Sequence, residues 1–217
     1  MKIILLLGAG LSSSSLIRYL LDHAEQEDWF VNVVDQDLAL VQRKIGKHPR
    51  AAALSFNALD PAERKPMIGH ADIVISMLPA RFHAEVAVDC IELKTHLITP
   101  SYVSPEMKAL AEQAVKAGIV IMNEIGVDPG IDHMSAMQII HEIQAKGGKM
   151  DSFKSFCGGL MAPGSDDNPW HFKFTWNPRN VVLAGQGGAA AFIQNNENKY
   201  IPYAQLFKRT ERFEISR

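Results

Sequence analysis

The stretch Ile3-Ile4-Leu5-Leu6-Leu7-Gly8-Ala9-Gly10-Leu11-Ser12-Ser13, followed by a helical segment, a second apolar run and Asp35, decides the fold class. A continuous apolar run of this kind is a strand buried on both faces. It enters a tight turn at Gly8, and Gly10 has no Cβ to hold the backbone away from a pyrophosphate. The helix beginning near Leu11 aims its free N–H groups and positive dipole end at that phosphate. About twenty residues on, Asp35 ends the second strand, where a carboxylate accepts hydrogen bonds from a ribose hydroxyl. Strand, turn, helix, strand and acid in this order predict a dinucleotide-binding βαβ unit.

Ser13 stands where the glycine fingerprint has its third glycine. That position needs a small residue for helix–strand packing, and serine meets the need. The run Ser12-Ser13-Ser14-Ser15 also offers hydroxyls to a phosphate, although serine equally suits a helix N-terminus with no ligand at all. Candidate cofactor contacts are Gly8, Gly10, Leu11, Ser12, Ser13 and Asp35, with Leu78 and Pro79 at the end of a later strand bordering the nicotinamide ribose. Asp35 would repel a 2′-phosphate, and Gln36-Asp37 supply no arginine, so the expected cofactor is NAD rather than NADP.

The 217 residues fit one large or two small domains. A hydrophobic fraction of 47%, a charged fraction of 21% and a net charge of -2 describe an ordinary globular chain with no electrostatic footprint for nucleic acid or an anionic membrane. Cys90 and Cys157 form no metal-ligand spacing and argue for a reducing compartment. The apolar run after Met1-Lys2 is short and enters a Gly-x-Gly turn, which argues against a signal peptide. The expected location is the cytoplasm.

Through residue 124 the chain alternates between strand and helix patterns. Strands are expected at 2–8, 30–35, 51–56, 73–78, 96–99 and 119–122. Helices are expected near 12–23, 37–46, 60–68, 82–91 and 104–117, the last closed by Gly118. This alternation predicts a doubly wound parallel α/β sheet over residues 1–124. Residues 125–217 read as part of an α+β substrate or dimerisation domain. Asp128-Pro129-Gly130 is a turn, Asp132 is expected to cap a helix ending before Gly147-Gly148, and 150–160 and 170–184 alternate like strands. Their aromatic residues, Phe153, Phe156, Phe172, Phe174 and Trp176, would suit an edge that pairs with a second copy in a homodimer. Gly185-Gln186-Gly187-Gly188 lacks the fingerprint order and reads as a chain reversal. Residues 205–217 read as a strand with no closing element, as in a fragment of a longer protein.

Several segments together resemble the L-glutamate-forming saccharopine dehydrogenase, or saccharopine reductase, family. They are Gly8–Ser15, Ser76-Met77-Leu78-Pro79, Thr99–Pro105, Asn123-Glu124-Ile125-Gly126-Val127-Asp128-Pro129-Gly130-Ile131-Asp132-His133, Ser155-Phe156-Cys157-Gly158-Gly159-Leu160 and Lys173–Arg179. The resemblance implies a nicotinamide-dependent enzyme of lysine metabolism that interconverts saccharopine with glutamate and 2-aminoadipate semialdehyde. It also implies a chain about twice this length. A relative acting on carboxynorspermidine, and a non-catalytic NAD-binding fragment, remain alternatives.

The same resemblance implies that Tyr102, Asp128 and Cys157 line the substrate site as its catalytic and binding groups. Asp128 would move a proton or orient the amine, although Asp before Pro-Gly is also an ordinary turn former. Tyr102 follows the fifth strand on the ligand-binding edge of such sheets, where it could also be a plain edge aromatic. Cys157, read as a contact and not a covalent nucleophile, precedes Gly158, whose backbone could approach a ligand; an inert buried thiol is the alternative. Arg179 and, less strongly, Lys173 could hold a substrate carboxylate, or lie solvated on the surface. His133 is the histidine nearest this constellation in the sequence.

Overall fold

The computed structural model describes residues 1–159, 161–176, 178–184 and 187–209, in two compact units, Met1–Phe172 and the residues from Lys173 onward. In the first unit the strands β1 (Lys2–Leu7), β2 (Trp29–Val34), β3 (Ala51–Leu54), β4 (Ile73–Ser76), β5 (His96–Ile98) and β6 (Ile121–Met122) form one sheet, ordered β3-β2-β1-β4-β5-β6. Every pairing in it is parallel. The chain moves outward from β1 to β3, then crosses back to β4. The strand order therefore reverses between β1 and β4, which opens a crevice at their carboxyl ends.

Alternation along β1 divides the core between the two faces of the sheet. Leu5 and Leu7 join Val74 and Leu97 under the helices α3 (Pro61–Gly69), α4 (His83–Leu93), α5 (Pro105–Ala109) and α6 (Ala111–Ala117) through Ile68, Val86, Cys90, Met107 and Ala114. Ile4 and Leu6 join Val31, Val33 and Ile75 under α1 (Ser14–Asp22) and α2 (Leu38–Ile45) through Ile17, Leu20, Leu21, Val41 and Ile45. Each fully buried aliphatic side chain contributes about 1.5–3 kcal/mol, so two filled faces hold the sheet rigid beneath the crevice.

Local chemistry sets the helix ends. Asp37 accepts from Leu40 N at 2.9 Å, Asp60 from Ala62 N at 2.9 Å and Ser104 from Met107 N at 3.2 Å. Pro61 and Pro105 occupy first helical positions, where a missing N–H does no harm. Gly118 closes α6 in the left-handed region. A buried ion pair fastens α3 to α4: Arg64 Nη2 lies 2.6 Å from Asp89 Oδ2, and Arg64 Nη1 donates to Ala58 O at 2.8 Å. The expected helix over 104–117 is broken at Leu110 into α5 and α6, and β6 keeps only two of its four expected residues.

Beyond the sheet, α7 (Ile131–Ala145) follows the Asp128-Pro129-Gly130 turn, whose Asp128–Pro129 peptide is cis. Asp132 lies inside the first turn of α7 and not at its cap; its carboxylate folds back to accept Gly130 N at 2.9 Å. Residues 150–159 and 170–176 are irregular rather than extended strands. An alternating pattern becomes a strand only where a neighbour completes its ladder, and none is paired with these segments among the described residues. The aromatic residues expected at a pairing edge therefore sit on irregular chain.

The second unit contains α8 (Pro178–Ala184), an antiparallel hairpin of β7 (Ala190–Gln194) and β8 (Glu197–Ile201), and α9 (Tyr203–Leu206). Asn195 and Asn196 both have positive φ, 54° and 61°, as a two-residue hairpin turn requires. Residues 178–184 were expected as a strand; Pro178 at the first helical position starts a helix there instead. Gln205 and Leu206, expected in a terminal strand, lie in α9, whose residues Tyr203-Ala204-Gln205-Leu206 include good helix formers. Residues 210–217, and Gly185 and Gln186 of the expected reversal, lie outside the described residues.

Candidate active site at the carboxyl edge of the sheet

The turn after β1 has the form a dinucleotide needs. Gly8 has φ +101°, and a Cβ on it would sit 3.1 Å from Met77 O, so glycine alone lets β1 close against the segment that leaves β4. A Cβ on Gly10 would meet nothing within 4 Å, which leaves open space where a pyrophosphate would approach. Leu11 and Ser12 are exposed in the short 3-10 turn Leu11–Ser13 that opens α1. Ser13 is buried, as helix–strand packing asks, and its hydroxyl donates to Gly10 O at 2.9 Å.

Asp35 joins this turn directly. Its Oδ2 accepts Ala9 N at 2.8 Å and its Oδ1 accepts Asp37 N at 3.2 Å. Lys44, which sequence reasoning did not single out, reaches from α2 to donate to Gly10 O at 2.6 Å and to Ser13 Oγ at 3.2 Å.

The next strand ends carry a second group absent from the sequence candidates. His83 is buried at the start of α4, with Nδ1 3.0 Å from Ser76 Oγ and Nε2 2.9 Å from Ser101 Oγ. Burial pushes its pKa down to about 4, so the ring is neutral and one nitrogen donates while the other accepts. The contact ties the end of β4, which leads to Leu78 and Pro79, to the loop that carries Tyr102. The signal was present in the sequence: His83, Val86, Ala87 and Cys90 form a helical stripe that turns inward.

At that loop the three expected substrate-site residues converge. Tyr102 OH donates to Asp128 Oδ1 at 2.6 Å, and this bond pushes the phenol up to about 12. The Cys157 thiol is raised from its ordinary value by desolvation and by a hydrogen bond to the same carboxylate. Tyr102 and Cys157 thus both keep their protons at neutral pH. Close backbone packing shapes the loop beneath them. Gly126 N donates to Pro129 O at 2.8 Å, and a Cβ on Gly130, at φ +148°, would fall 2.1 Å from Gly126 O. His133 Nδ1 lies 2.7 Å from Asp132 Oδ1, a bond that raises the imidazole above its ordinary range. Gly158 follows in irregular chain with open space beside it. Lys173 and Arg179 fall in the second unit.

A family model described as the saccharopine dehydrogenase NADP binding domain matches residues 4–122, and one described as the saccharopine dehydrogenase C-terminal domain matches residues 126–217. The chain belongs to the saccharopine dehydrogenase family. Among curated proteins it is 42% identical over 188 residues to the Saccharomyces cerevisiae saccharopine dehydrogenase [NADP(+), L-glutamate-forming], covering 87% of this chain and 41% of that protein. It is 39% identical over 194 residues to the Arabidopsis thaliana alpha-aminoadipic semialdehyde synthase, covering 89% of this chain and 18% of that protein. The apo histidine-tagged saccharopine dehydrogenase (L-Glu forming) from Saccharomyces cerevisiae superimposes with a TM-score of 0.84 at 36% identity, over 100% of this chain and 47% of that one.

The chain therefore spans about two-fifths of the yeast saccharopine dehydrogenase that it matches. Family membership supports a nicotinamide cofactor at the β1 turn. The NADP binding domain model and the NADP(+) in the yeast relative's name favour NADP over the NAD expected from Asp35.

Proposed function

We propose that the chain supplies the dinucleotide site and the adjoining part of the substrate site of a saccharopine dehydrogenase, in which the C–N bond of saccharopine is oxidised to give glutamate and 2-aminoadipate semialdehyde. The observation that carries this reading is the single carboxylate of Asp128 holding both the Tyr102 hydroxyl and the Cys157 thiol at the carboxyl edge of the sheet. A bound nicotinamide ring would accept the hydride from the carbon next to the secondary amine. The amine proton leaves as that hydride goes, and in this reading the Asp128 carboxylate takes it. Water then adds to the C=N bond, and the C–N bond breaks with the electron pair going to nitrogen, which departs as the amine of glutamate. Tyr102, fully protonated, donates to Asp128 and orients it. Cys157 does the same from its own side and forms no bond to substrate.

The cofactor of this reading is NAD. Its support is Asp35, whose carboxylate is fixed against the phosphate turn by Ala9 N and Asp37 N.

The test is an end-point balance. Saccharopine added to the chain and NAD is expected to yield glutamate and reduced cofactor in equal amounts. Cofactor binding with no glutamate released would refute the catalytic part of the reading. Equal turnover of carboxynorspermidine would move the substrate to the neighbouring class.

A further inference from the structure

We propose that Asp35 and Lys44 are an opposed pair that sets the dinucleotide choice: Asp35 excludes a 2′-phosphate, and Lys44 is a phosphate ligand that Asp35 overrides. The inference rests on the reading of the β1 turn as a nicotinamide dinucleotide site. Relatives carry NADP(+) in their names, and this corner of the present chain does not fit a 2′-phosphate.

Asp35 directly follows β2, where the adenosine ribose of a bound dinucleotide would lie. Two backbone N–H groups, of Ala9 and Asp37, hold its carboxylate in place, one on each oxygen. Each oxygen keeps a further lone pair, suited to a ribose hydroxyl donor. A 2′-phosphate has no such donor to offer and brings negative charge against negative charge. The positions after β2 reinforce this. Gln36 is uncharged, and Asp37, whose Oδ1 caps α2 by accepting Leu40 N at 2.9 Å, adds a second carboxylate.

Lys44 comes from the far end of α2 to the same corner. Its ammonium donates to Gly10 O and Ser13 Oγ, on the turn that faces a phosphate, and Asp35 is its charged neighbour. Burial lowers the Lys44 pKa from its ordinary value and the Asp35 charge opposes that shift, and an ammonium bound only to a carbonyl and a hydroxyl can turn to a phosphate oxygen brought within reach. With Asp35 ionised, repulsion at the ribose outweighs that attraction. Without the charge of Asp35, Lys44 becomes the group that a 2′-phosphate meets, in the role an arginine fills where NADP is used.

The experiment measures binding of 5′-AMP and 2′,5′-ADP by calorimetry to the wild type, Asp35→Asn, Lys44→Gln and the double variant. Asp35→Asn keeps an acceptor for Ala9 N while removing the charge; Asp35→Ser is the second variant if the amide fails to fold. The wild type is expected to bind 5′-AMP at least as tightly as 2′,5′-ADP. Asp35→Asn is expected to prefer 2′,5′-ADP by about tenfold or more, and the double variant to lose that preference. A wild type that prefers 2′,5′-ADP overturns the role of Asp35 without help from any variant. A preference in Asp35→Asn that survives Lys44→Gln overturns the role of Lys44. Failure of the wild type to bind either nucleotide refutes the dinucleotide site itself, which is a different failure from a wrong choice between cofactors.

Discussion

Replacing His83 by glutamine separates a neutral buried imidazole from an ordinary polar contact. In the folded chain His83 is buried between Ser76 and Ser101 and titrates near 4, against about 6.5 for an unfolded histidine. A folded-state value below the unfolded one contributes stability that is present above pH 6.5 and is lost as pH falls towards 4, because the unfolded chain takes up the proton first. The full difference corresponds to about 3 kcal/mol, and the part between pH 7 and pH 4.5 to about 2.5 kcal/mol. Glutamine keeps a donor and an acceptor in the site but does not titrate. At pH 7 the variant is expected to be less stable by about 1–3 kcal/mol, the consequence of one imperfect contact to a buried hydroxyl. Urea unfolding of both proteins at pH 7 and pH 4.5 is the assay, since subtracting one protein from the other removes every other titrating group. The stability gap is expected to close or reverse at pH 4.5. A gap that stays constant across the two pH values would show that His83 is not held neutral, and the reasoning would be wrong.

Other outcomes follow from the same contacts. Arg64→Met leaves the buried Asp89 with only the more distant Lys65 ammonium, at 3.7 Å, and is expected to destabilise by about 3 kcal/mol in denaturant unfolding, whereas Arg64→Met combined with Asp89→Leu recovers most of the loss. Gly130→Ala places a methyl against Gly126 O and is expected to lower stability by more than about 2 kcal/mol, read as a fall in Tm; an unchanged Tm would contradict the close packing of that loop. Cys157 is expected to react with iodoacetamide at pH 7.5 more slowly than a free cysteine, and faster once Asp128→Asn removes the carboxylate that raises its pKa; Cys90, buried and pushed up to about 12, stays unlabelled in the native protein.

Legibility followed the strength of the local signal. The parallel sheet could be read because β1 and β4 are apolar runs bounded by glycine, aspartate or proline, and because Asp37, Asp60 and Ser104 cap the helices that follow strands. The region after Gly148 could not be read in the same way. Its aromatic residues alternate as in a strand, but pairing is a long-range property, and residues 150–159 find no paired neighbour among the described residues. The hairpin of β7 and β8 went unread although Asn195-Asn196 is a two-residue turn signal.

The convergence of Tyr102, Asp128 and Cys157 came from family resemblance, since three residues up to 55 positions apart share no period. His83 and Arg64 lay on readable inward stripes, with Val86 and Ile68 as their apolar companions. A polar residue on a buried stripe is a question about its partners, and those partners, Ser76, Ser101 and Asp89, are supplied by other elements.

In the proposed reaction, hydride leaves the saccharopine carbon that becomes the aldehyde. The most direct measurement uses saccharopine carrying two deuterium atoms at that carbon, incubated with the chain and NAD, with the reduced cofactor analysed by mass spectrometry. Reduced cofactor one mass unit heavier than the unlabelled control, formed by the wild type and strongly diminished in Asp128→Asn, is the predicted result. Reduced cofactor without deuterium, or none formed while NADH binds, would contradict the claim.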